Sequence, residues 1–287
     1  MYIRPLEGIL SPMVEPISIR FVVTALYVLA GISYTLLFFN HIKERTRSTR
    51  LLIAALSLHF VELLFRGAEA GHAGGAPFVG LSGFMSLFSF LVGCVYLVME
   101  YRYKIKPLGA FHLPVILVIQ AAAAIFRSPM TAVPVLKTGH LFVLHVVPAI
   151  MAYAALSVSF VSGVAFLLLE NRLKHKKFGL LMQNLPNLGL VERMNAAGVK
   201  IGLPLLTAGA VAGTAMGYHY FGASYHWDLK NWVTLIIIII YTLHLTLRRF
   251  AGFRGKRAVI VSIIGYGTVI FGFTVVNMVF STMHSFF

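Results

Sequence analysis

The sequence predicts an all-α membrane protein with about eight transmembrane helices. Hydrophobic residues make up 59% of the 287 residues, charged residues only 11%, and the mean hydropathy is +0.85. This balance is far from that of a soluble domain, and successive apolar runs are each long enough to cross a hydrocarbon core of about 30 Å. The single cysteine, Cys94, lies in one of these runs. We therefore expect Cys94 to be a small buried apolar side chain, and not part of a disulfide or a cysteine-based metal site.

The apolar runs divide the chain into spans joined by short connections. The predicted spans are residues 18–39, 50–67, 79–99, 108–126, 139–170, 199–219, 231–249 and 258–281. The longest connection, 171–198, is too short for a soluble domain, and its residues 178–191 predict a short interfacial segment. We expect one membrane domain over residues 1–287, with the first span retained as a helix and not cleaved as a signal peptide.

The net charge of +15 follows the topology of the chain. Most of the 24 Lys and Arg residues lie in alternate connections, at residues 41–50, 100–107, 170–200 and 248–257. The positive-inside rule places these connections on the cytoplasmic side. Both termini and the 218–230 connection are then predicted on the outer, periplasmic side. Because the topology accounts for the positive charge, we expect no nucleic-acid partner. We expect the protein to lie in the lipid bilayer.

An aromatic-rich segment joins the sixth and seventh spans. We call residues 221–232 (FGASYHWDLKNW) the Trp-Asp segment. Its large aromatic side chains are Phe221, Tyr225, Trp227 and Trp232. They would provide a flat apolar wall for a planar ligand, although a lone Trp227 is more typical of the aromatic belt at a membrane interface. Asp228, three residues before Asn231, predicts a helix N-cap.

Two histidines are predicted at the membrane level of this segment. His145 lies about two turns into the fifth span, and His284 lies at the end of the eighth. Two neutral imidazoles facing each other across a macrocycle commonly hold haem iron, so these positions predict a haem site. His284, near a chain end, also fits a solvated side chain. His145 needs a partner, because a polar group inside a span is costly without one.

A second group of ionisable residues lies within the spans. His59, Glu62, Arg66 and Glu69 share one face of the second span. Glu62 and Arg66 have the i, i+4 spacing of an ion pair. His244, in the seventh span, is predicted at a similar depth to His59, so we consider that these two histidines bind a second haem. If His244 instead pairs with a partner subunit, His59 is interpreted as a hydrogen-bonded core residue.

Further motifs make the chain resemble a known family. They lie at residues 133–153, 154–169, 184–191, 201–213, 241–248, 252–258 and 276–286, in the family's order around the Trp-Asp segment. The chain resembles the membrane haem-handling proteins of cytochrome c assembly, the CcsA/ResC–CcmC–HemX group. Residues 131–287 resemble the family's haem-handling core, and residues 1–130 match more loosely.

The resemblance implies a function and a set of site residues. It implies that His145 and His284 are the axial ligands of an outer haem b, bound non-covalently beside the Trp-Asp segment. That segment corresponds to the family's WWD loop, which presents haem to apocytochrome c. His244 would ligate a second, transmembrane haem, whose opposite ligand comes from a CcsB/ResB-like membrane partner. The expected activity is that of a subunit of a cytochrome c haem lyase in the bacterial cytoplasmic (inner) membrane.

The Trp-Asp segment departs from the family's pattern. The family loop usually begins Trp-Gly, has a second Trp and continues Trp-Asp-Pro-Lys-Glu, whereas this chain has Phe221, Tyr225, Leu229 and Asn231 at the differing positions. The aromatic replacements retain a stacking wall. The absence of Glu and of two tryptophans favours an alternative, a HemX-like haem-binding regulator of tetrapyrrole synthesis. A haem-transport or electron-transfer membrane subunit is a third interpretation.

Overall fold

The described part of the chain folds into eight α-helices. A computed structural model describes residues 17–39, 45–72, 81–126, 140–175, 187–222 and 226–279. The helices are α1 (Ile17–Phe38), α2 (Arg45–His72), α3 (Leu81–Tyr103), α4 (Gly109–Ile125), α5 (His140–Lys174), α6 (Leu188–Phe221), α7 (Leu229–Phe250) and α8 (Lys256–Val279), with a single 3₁₀ turn at Lys106–Leu108. These ranges contain no β-strand, so the predicted all-α fold is confirmed.

The helices have the length and composition of membrane spans. Within the described residues, α1 to α7 are long and apolar enough to cross a bilayer. Helix α8 covers most of the eighth predicted span, 258–281. The protein is therefore a polytopic membrane protein, as predicted. The positions of its termini relative to the two membrane faces stay a prediction.

Helix α6 begins earlier than the sequence predicts. The sixth span is predicted from residue 199, whereas α6 starts at Leu188 and includes residues 188–191 of the predicted interfacial segment. The interfacial position of that segment stays a prediction. Asn187 caps the helix, because its side chain accepts a hydrogen bond from the backbone amide two residues later. Glu192 in the first turns forms an ion pair with Arg248 of α7, at 2.6 Å.

The helices pack in two groups that meet at α5. Helix α1 packs against α2 and α4, and α3 against α4, while α5 to α8 form the second group and α5 also contacts α3. One buried cluster, including Tyr34, Tyr96 and Leu113, fills the first group and extends to α5 and α6. Cys94 is a free, partly buried cysteine that packs against this cluster. A second cluster, including Leu156, Leu206 and Tyr241, fills the space among α5 to α8.

The most extensive contact joins α5 and α6, which run antiparallel. Four glycines of α6 face α5 along this contact, and we call Gly198, Gly202, Gly209 and Gly213 the glycine seam. A methyl group at Gly198 would lie 2.6 Å from the carbonyl oxygen of Ala155. Small residues allow two helix backbones to approach closely, and at Gly209 and Gly213 this approach positions His145.

Candidate functional site

His145 lies near the start of α5, half-buried against α6. Its Nδ1 atom is 2.7 Å from the carbonyl oxygen of Gly209. A carbonyl oxygen only accepts hydrogen bonds, so Nδ1 carries the ring proton and donates it, and the lone pair is on Nε2. Metal-ligating imidazoles commonly have this arrangement, in which the Nδ1 hydrogen bond fixes both tautomer and ring orientation.

The glycine seam provides the space for the His145 ring. A methyl group at Gly213 would lie 2.5 Å from Nδ1 and 2.7 Å from Cε1 of His145. A methyl group at Gly209 would lie 3.1 Å from the backbone nitrogen of Ala149. Sequence reasoning did not identify these glycines as site residues. Their four-residue spacing is typical of close helix packing, and this pattern could have identified them.

The Trp-Asp segment includes the end of α6 and the start of α7. Helix α6 ends at Phe221, and Gly222 follows with a φ of +53°, a conformation that favours glycine. Helix α7 begins at Leu229, and the carboxylate of Asp228 accepts a hydrogen bond from the backbone nitrogen of Asn231 at 3.0 Å. The predicted N-cap is therefore confirmed, and it fixes the point at which the segment enters α7.

The described aromatic side chains of this segment are partly exposed. Trp227 and Trp232 contact each other edge to face, with ring centroids 5.2 Å apart. The exposed fractions are 49% for Phe221, 39% for Trp227 and 52% for Trp232. Tyr225 lies outside the described residues. Exposed rings at the end of a membrane helix fit an apolar planar ligand and also fit an aromatic belt, so their role stays a prediction.

His145 lies at the same end of the molecule as the Trp-Asp segment. Its neighbour Gly213 is eight residues before Phe221 on α6, a rise of about 12 Å along the helix. The described chain thus brings an oriented imidazole and a group of aromatic side chains to one end of the helix bundle.

Helix α8 extends to this end as well. A methyl group at Gly272 would lie 2.7 Å from Cγ1 of Val233, in the first turns of α7. His284 follows Gly272 by twelve residues and lies outside the described residues. Its pairing with His145 stays a prediction.

His244 is a buried histidine on α7. The buried side chains of this helix are Val233, Ile237, Tyr241 and His244. His244 has no exposed surface, and neither ring nitrogen has a hydrogen-bond partner within the described residues. A buried polar group without a partner costs about 1–3 kcal/mol. A metal-centred ligand bound to one ring nitrogen would offset this cost, so the environment of His244 fits haem iron.

His59 has a different environment, in a polar cluster of α1, α2 and α3. Its Nδ1 is 2.9 Å from the hydroxyl of Tyr27, and its Nε2 is 3.0 Å from the hydroxyl of Ser86. The predicted ion pair next to it is confirmed, because Nε of Arg66 lies 2.6 Å from Oε1 of Glu62. Tyr27 and Ser86 were not predicted, since they are far from His59 in sequence.

The structure does not group His59 with His244 in one packing unit. The main neighbours of α2 are α1 and α3, whereas those of α7 are α6 and α8. Both ring nitrogens of His59 have protein partners. This is the arrangement expected if His59 is a hydrogen-bonded core residue. A haem shared by His59 and His244 stays an untested prediction.

These features define a polytopic membrane protein with an oriented histidine at the same end as an aromatic segment. A second histidine, inside the bundle, has no hydrogen-bond partner among the described residues. The sequence profile described as "Cytochrome C assembly protein" matches residues 78–284, well over half of the chain. The chain belongs to this family. Membership supports a role in cytochrome c biogenesis and implies that haem is involved.

Individual relatives carry two kinds of name. The chain is 26% identical to the cytochrome c biogenesis protein CcsA of Mesostigma viride over 237 residues, covering 72% of this chain and 76% of that protein. It is 25% identical to CcsA of Prochlorococcus marinus over 291 residues, covering 91% and 90% of the two chains. It is also 26% identical to the protein HemX of Brevibacillus brevis over 219 residues, covering 73% and 78%.

Proposed function

We propose that this protein holds haem b non-covalently at the outer membrane face and presents it for covalent attachment to apocytochrome c. The observation that carries the proposal is the hydrogen bond from Nδ1 of His145 to the Gly209 carbonyl, at 2.7 Å. It orients the imidazole with its lone pair on Nε2, at the same end of the bundle as the Trp-Asp segment. Family membership supports the identity of the ligand.

In this proposal the protein contributes positioning. His145 and His284 would hold the haem iron, and the rings of Phe221, Tyr225, Trp227 and Trp232 would provide the apolar wall of the site, with Asp228 fixing the start of α7. When bound, haem would supply the vinyl groups to which the thiols of an apocytochrome Cys-X-X-Cys-His segment add. Orientation and iron ligation by the protein are the kind of contribution expected where a cofactor carries the reactivity.

We further propose that His244 ligates a second haem within the membrane. Its ring nitrogens are buried and have no hydrogen-bond partner among the described residues, which supports this role. The ring nitrogens of His59 are both engaged, which favours an opposite ligand from a CcsB/ResB-like partner over one from His59. The complete assembly would then act as a cytochrome c haem lyase in the bacterial cytoplasmic membrane.

A HemX-like regulator of tetrapyrrole synthesis is the second candidate. The observation that favours it is the pair of replacements at the start of α7, Leu229 for Pro and Asn231 for Glu. In this chain the backbone amide of Asn231 is bonded to Asp228, so the segment is held without those two family residues. Such a protein would bind haem but would not attach it.

The first experiment measures haem binding by the single purified chain. Oxidised and reduced absorption spectra are recorded for the wild type and for His145→Ala, His284→Ala and His244→Ala. His175→Ala is the matched control, because His175 is exposed just after the end of α5 and bonds only to that helix in the described residues. We expect the first two variants to lose the same spectral component, His244→Ala to lose a different one, and the control to lose none.

The second experiment separates attachment from regulation. The gene is expressed in a bacterium that lacks its own CcsA-type protein, with and without a CcsB/ResB-type partner, and covalent cytochrome c is measured. Restored cytochrome c supports the haem lyase function. Haem binding without any restored cytochrome c supports the regulator, and absence of haem from the wild-type chain contradicts both.

A further inference from the structure

A basic pocket lies at the opposite end of the bundle from the Trp-Asp segment. It has a volume of about 330 Å³ and is formed by the end of α3, the first half of α6 and the end of α7. The cationic side chains that line it are Arg102, Arg193, Lys200 and Arg248. By the positive-inside rule these residues lie at the cytoplasmic face, so the pocket is predicted at the level of the inner-leaflet headgroups.

One face of α6 forms the floor of the pocket. Arg193, Ala196, Ala197 and Lys200 recur at the three- and four-residue spacing of neighbours on a helix surface. Arg193 and Lys200 are separated by about two turns, or about 10 Å along the helix axis. The two alanines between them have short side chains, which leaves a space between the two cations large enough for a polar headgroup.

The described residues do not neutralise all the positive charges around the pocket. No carboxylate lines it. Glu192, next to Arg193 in sequence, accepts hydrogen bonds from Arg248 at 2.6 Å and from the backbone amide of Gly255 at 2.8 Å. It therefore compensates Arg248. In the described part of the chain, Arg193 and Lys200 form no ion pair, so the pocket concentrates positive charge in a partly enclosed space.

We propose that this pocket binds the oxyanion of a membrane amphiphile. An anionic group would relieve the repulsion among the cations, and guanidinium and ammonium groups are the side chains that bind phosphate and carboxylate. Basic pockets between transmembrane helices on the cytoplasmic side are suited to lipid headgroups. Leu190 and Tyr103 line the same pocket and provide apolar surface for the part of the amphiphile next to its charge.

Two sources can supply this oxyanion. The first is the phosphate of an inner-leaflet anionic phospholipid. The second is a haem carboxylate, because Arg248 is one turn beyond His244 on α7; this source alone rests on the proposed haem site at His244. The chemistry recognised is the same, and the experiment distinguishes the sources.

The test compares two double variants with the same loss of charge. Arg193→Gln with Lys200→Gln removes two cations from the pocket. Lys256→Gln with Arg257→Gln is the matched control, because both residues are exposed at the start of α8 and do not line the pocket. Detergent-purified proteins are titrated with phosphatidylglycerol or phosphatidylcholine and examined by native mass spectrometry, and haem is titrated separately by absorption.

The wild type and the control are expected to bind phosphatidylglycerol in preference to phosphatidylcholine. The pocket variant is expected to lose that preference, with affinity lower by about tenfold or more, since each basic group near the membrane surface contributes about 1 kcal/mol. If instead the pocket variant loses haem affinity and its lipid binding equals the control's, the carboxylate of haem is the source. If both titrations equal those of the control, the pocket does not bind an oxyanion and the proposal is overturned.

Two further measurements keep the test independent of folding and of the haem proposal. Arg193→Lys retains the charge and should retain wild-type binding, and wild-type binding should weaken at high salt. Binding that is insensitive to salt in the wild type would contradict the proposal even if the double variant fails to fold. If the wild-type chain binds no haem, the proposed function is contradicted. The lipid titration still tests the pocket in that case.

Discussion

At the scale of single residues, three histidines differ in how their ring nitrogens are engaged. His145 donates through Nδ1 to a backbone carbonyl. His59 has a partner at both nitrogens, and His244 has none at either within the described residues. Since a structural histidine is stabilised by its protein partners, we interpret His59 as a residue that stabilises the fold and predict that His244 takes a ligand.

Two of the fully buried histidines, His59 and His244, should respond differently to an apolar replacement. We expect His244→Leu to leave the stability of the haem-free protein unchanged, or to raise it by about 1 kcal/mol, because no described hydrogen bond is lost. We expect His59→Leu to lower it by about 1–3 kcal/mol, because Tyr27 and Ser86 lose a buried partner. Thermal unfolding of the haem-free variants in detergent measures the difference. Equal destabilisation by both changes would show that His244 also has a structural partner.

The space at Gly213 gives a second prediction. In Gly213→Ala the new methyl group would collide with the His145 ring, so the ring must move and its bond to Gly209 weakens. We expect a loss of about 1–3 kcal/mol of stability and a changed or absent outer haem spectrum.

The control for this change is another helical glycine. A methyl group at Gly267 of α8 would meet no atom within 4 Å, so Gly267→Ala should leave the haem spectrum unaltered. If Gly213→Ala gives the same spectrum and unfolding temperature as Gly267→Ala, the seam does not position His145.

Local sequence rules predicted the residue contacts that lie within one helix or at its end. The Glu62–Arg66 ion pair and the Asp228 cap follow from spacings of four and three residues, and both are confirmed. The bond from His145 to Gly209 joins residues 64 positions apart. It depends on the register between two helices, which one sequence does not specify, and the same is true of the basic pocket.

At the scale of elements, the start of α7 determines the geometry of the Trp-Asp segment. Asp228→Ala removes the acceptor for the Asn231 amide and should cost about 1 kcal/mol, whereas Asp228→Ser should retain most of the cap. The only two tryptophans of the chain, Trp227 and Trp232, flank this helix start. Tryptophan fluorescence therefore reports on this segment alone, and we expect a shifted emission maximum in Asp228→Ala together with a lower unfolding temperature.

A cap role is contradicted if Asp228→Ser behaves like Asp228→Ala. In that case the segment would require the carboxylate group itself. A hydrogen-bond acceptor at the helix start would not be sufficient.

The start of α6 shows why an element boundary can be missed. Arg193 interrupts the apolar pattern, so hydropathy places the start of the span eleven residues after the start of the helix. The helix nevertheless forms from Leu188, because Asn187 caps it and Glu192 pairs with Arg248 of the neighbouring helix. Apolar length predicted the number and order of the helices; polar contacts between helices determined where this one begins.

At the scale of the whole molecule, the orientation in the membrane is the remaining prediction. The charge distribution puts His175 on the cytoplasmic side and His226 on the outer side, and both side chains are exposed. In a Cys94→Ser background, we expect His226→Cys to react with a membrane-impermeant thiol reagent in intact cells. His175→Cys should react only after the membrane is permeabilised. The reverse labelling pattern would place the Trp-Asp segment inside and remove the proposed access of apocytochrome c.

The length of α6 has a consequence for the whole protein. Its 34 residues extend over about 51 Å, more than the roughly 40–45 Å of a bilayer with its headgroup regions. One helix thus carries part of the basic pocket at one end and the start of the Trp-Asp segment at the other. A bilayer of different thickness would change the tilt of this helix, and with it the depth at which the aromatic side chains meet the outer headgroups. We therefore expect the lipid composition of the membrane to affect how far the Trp-Asp segment projects from the bilayer surface.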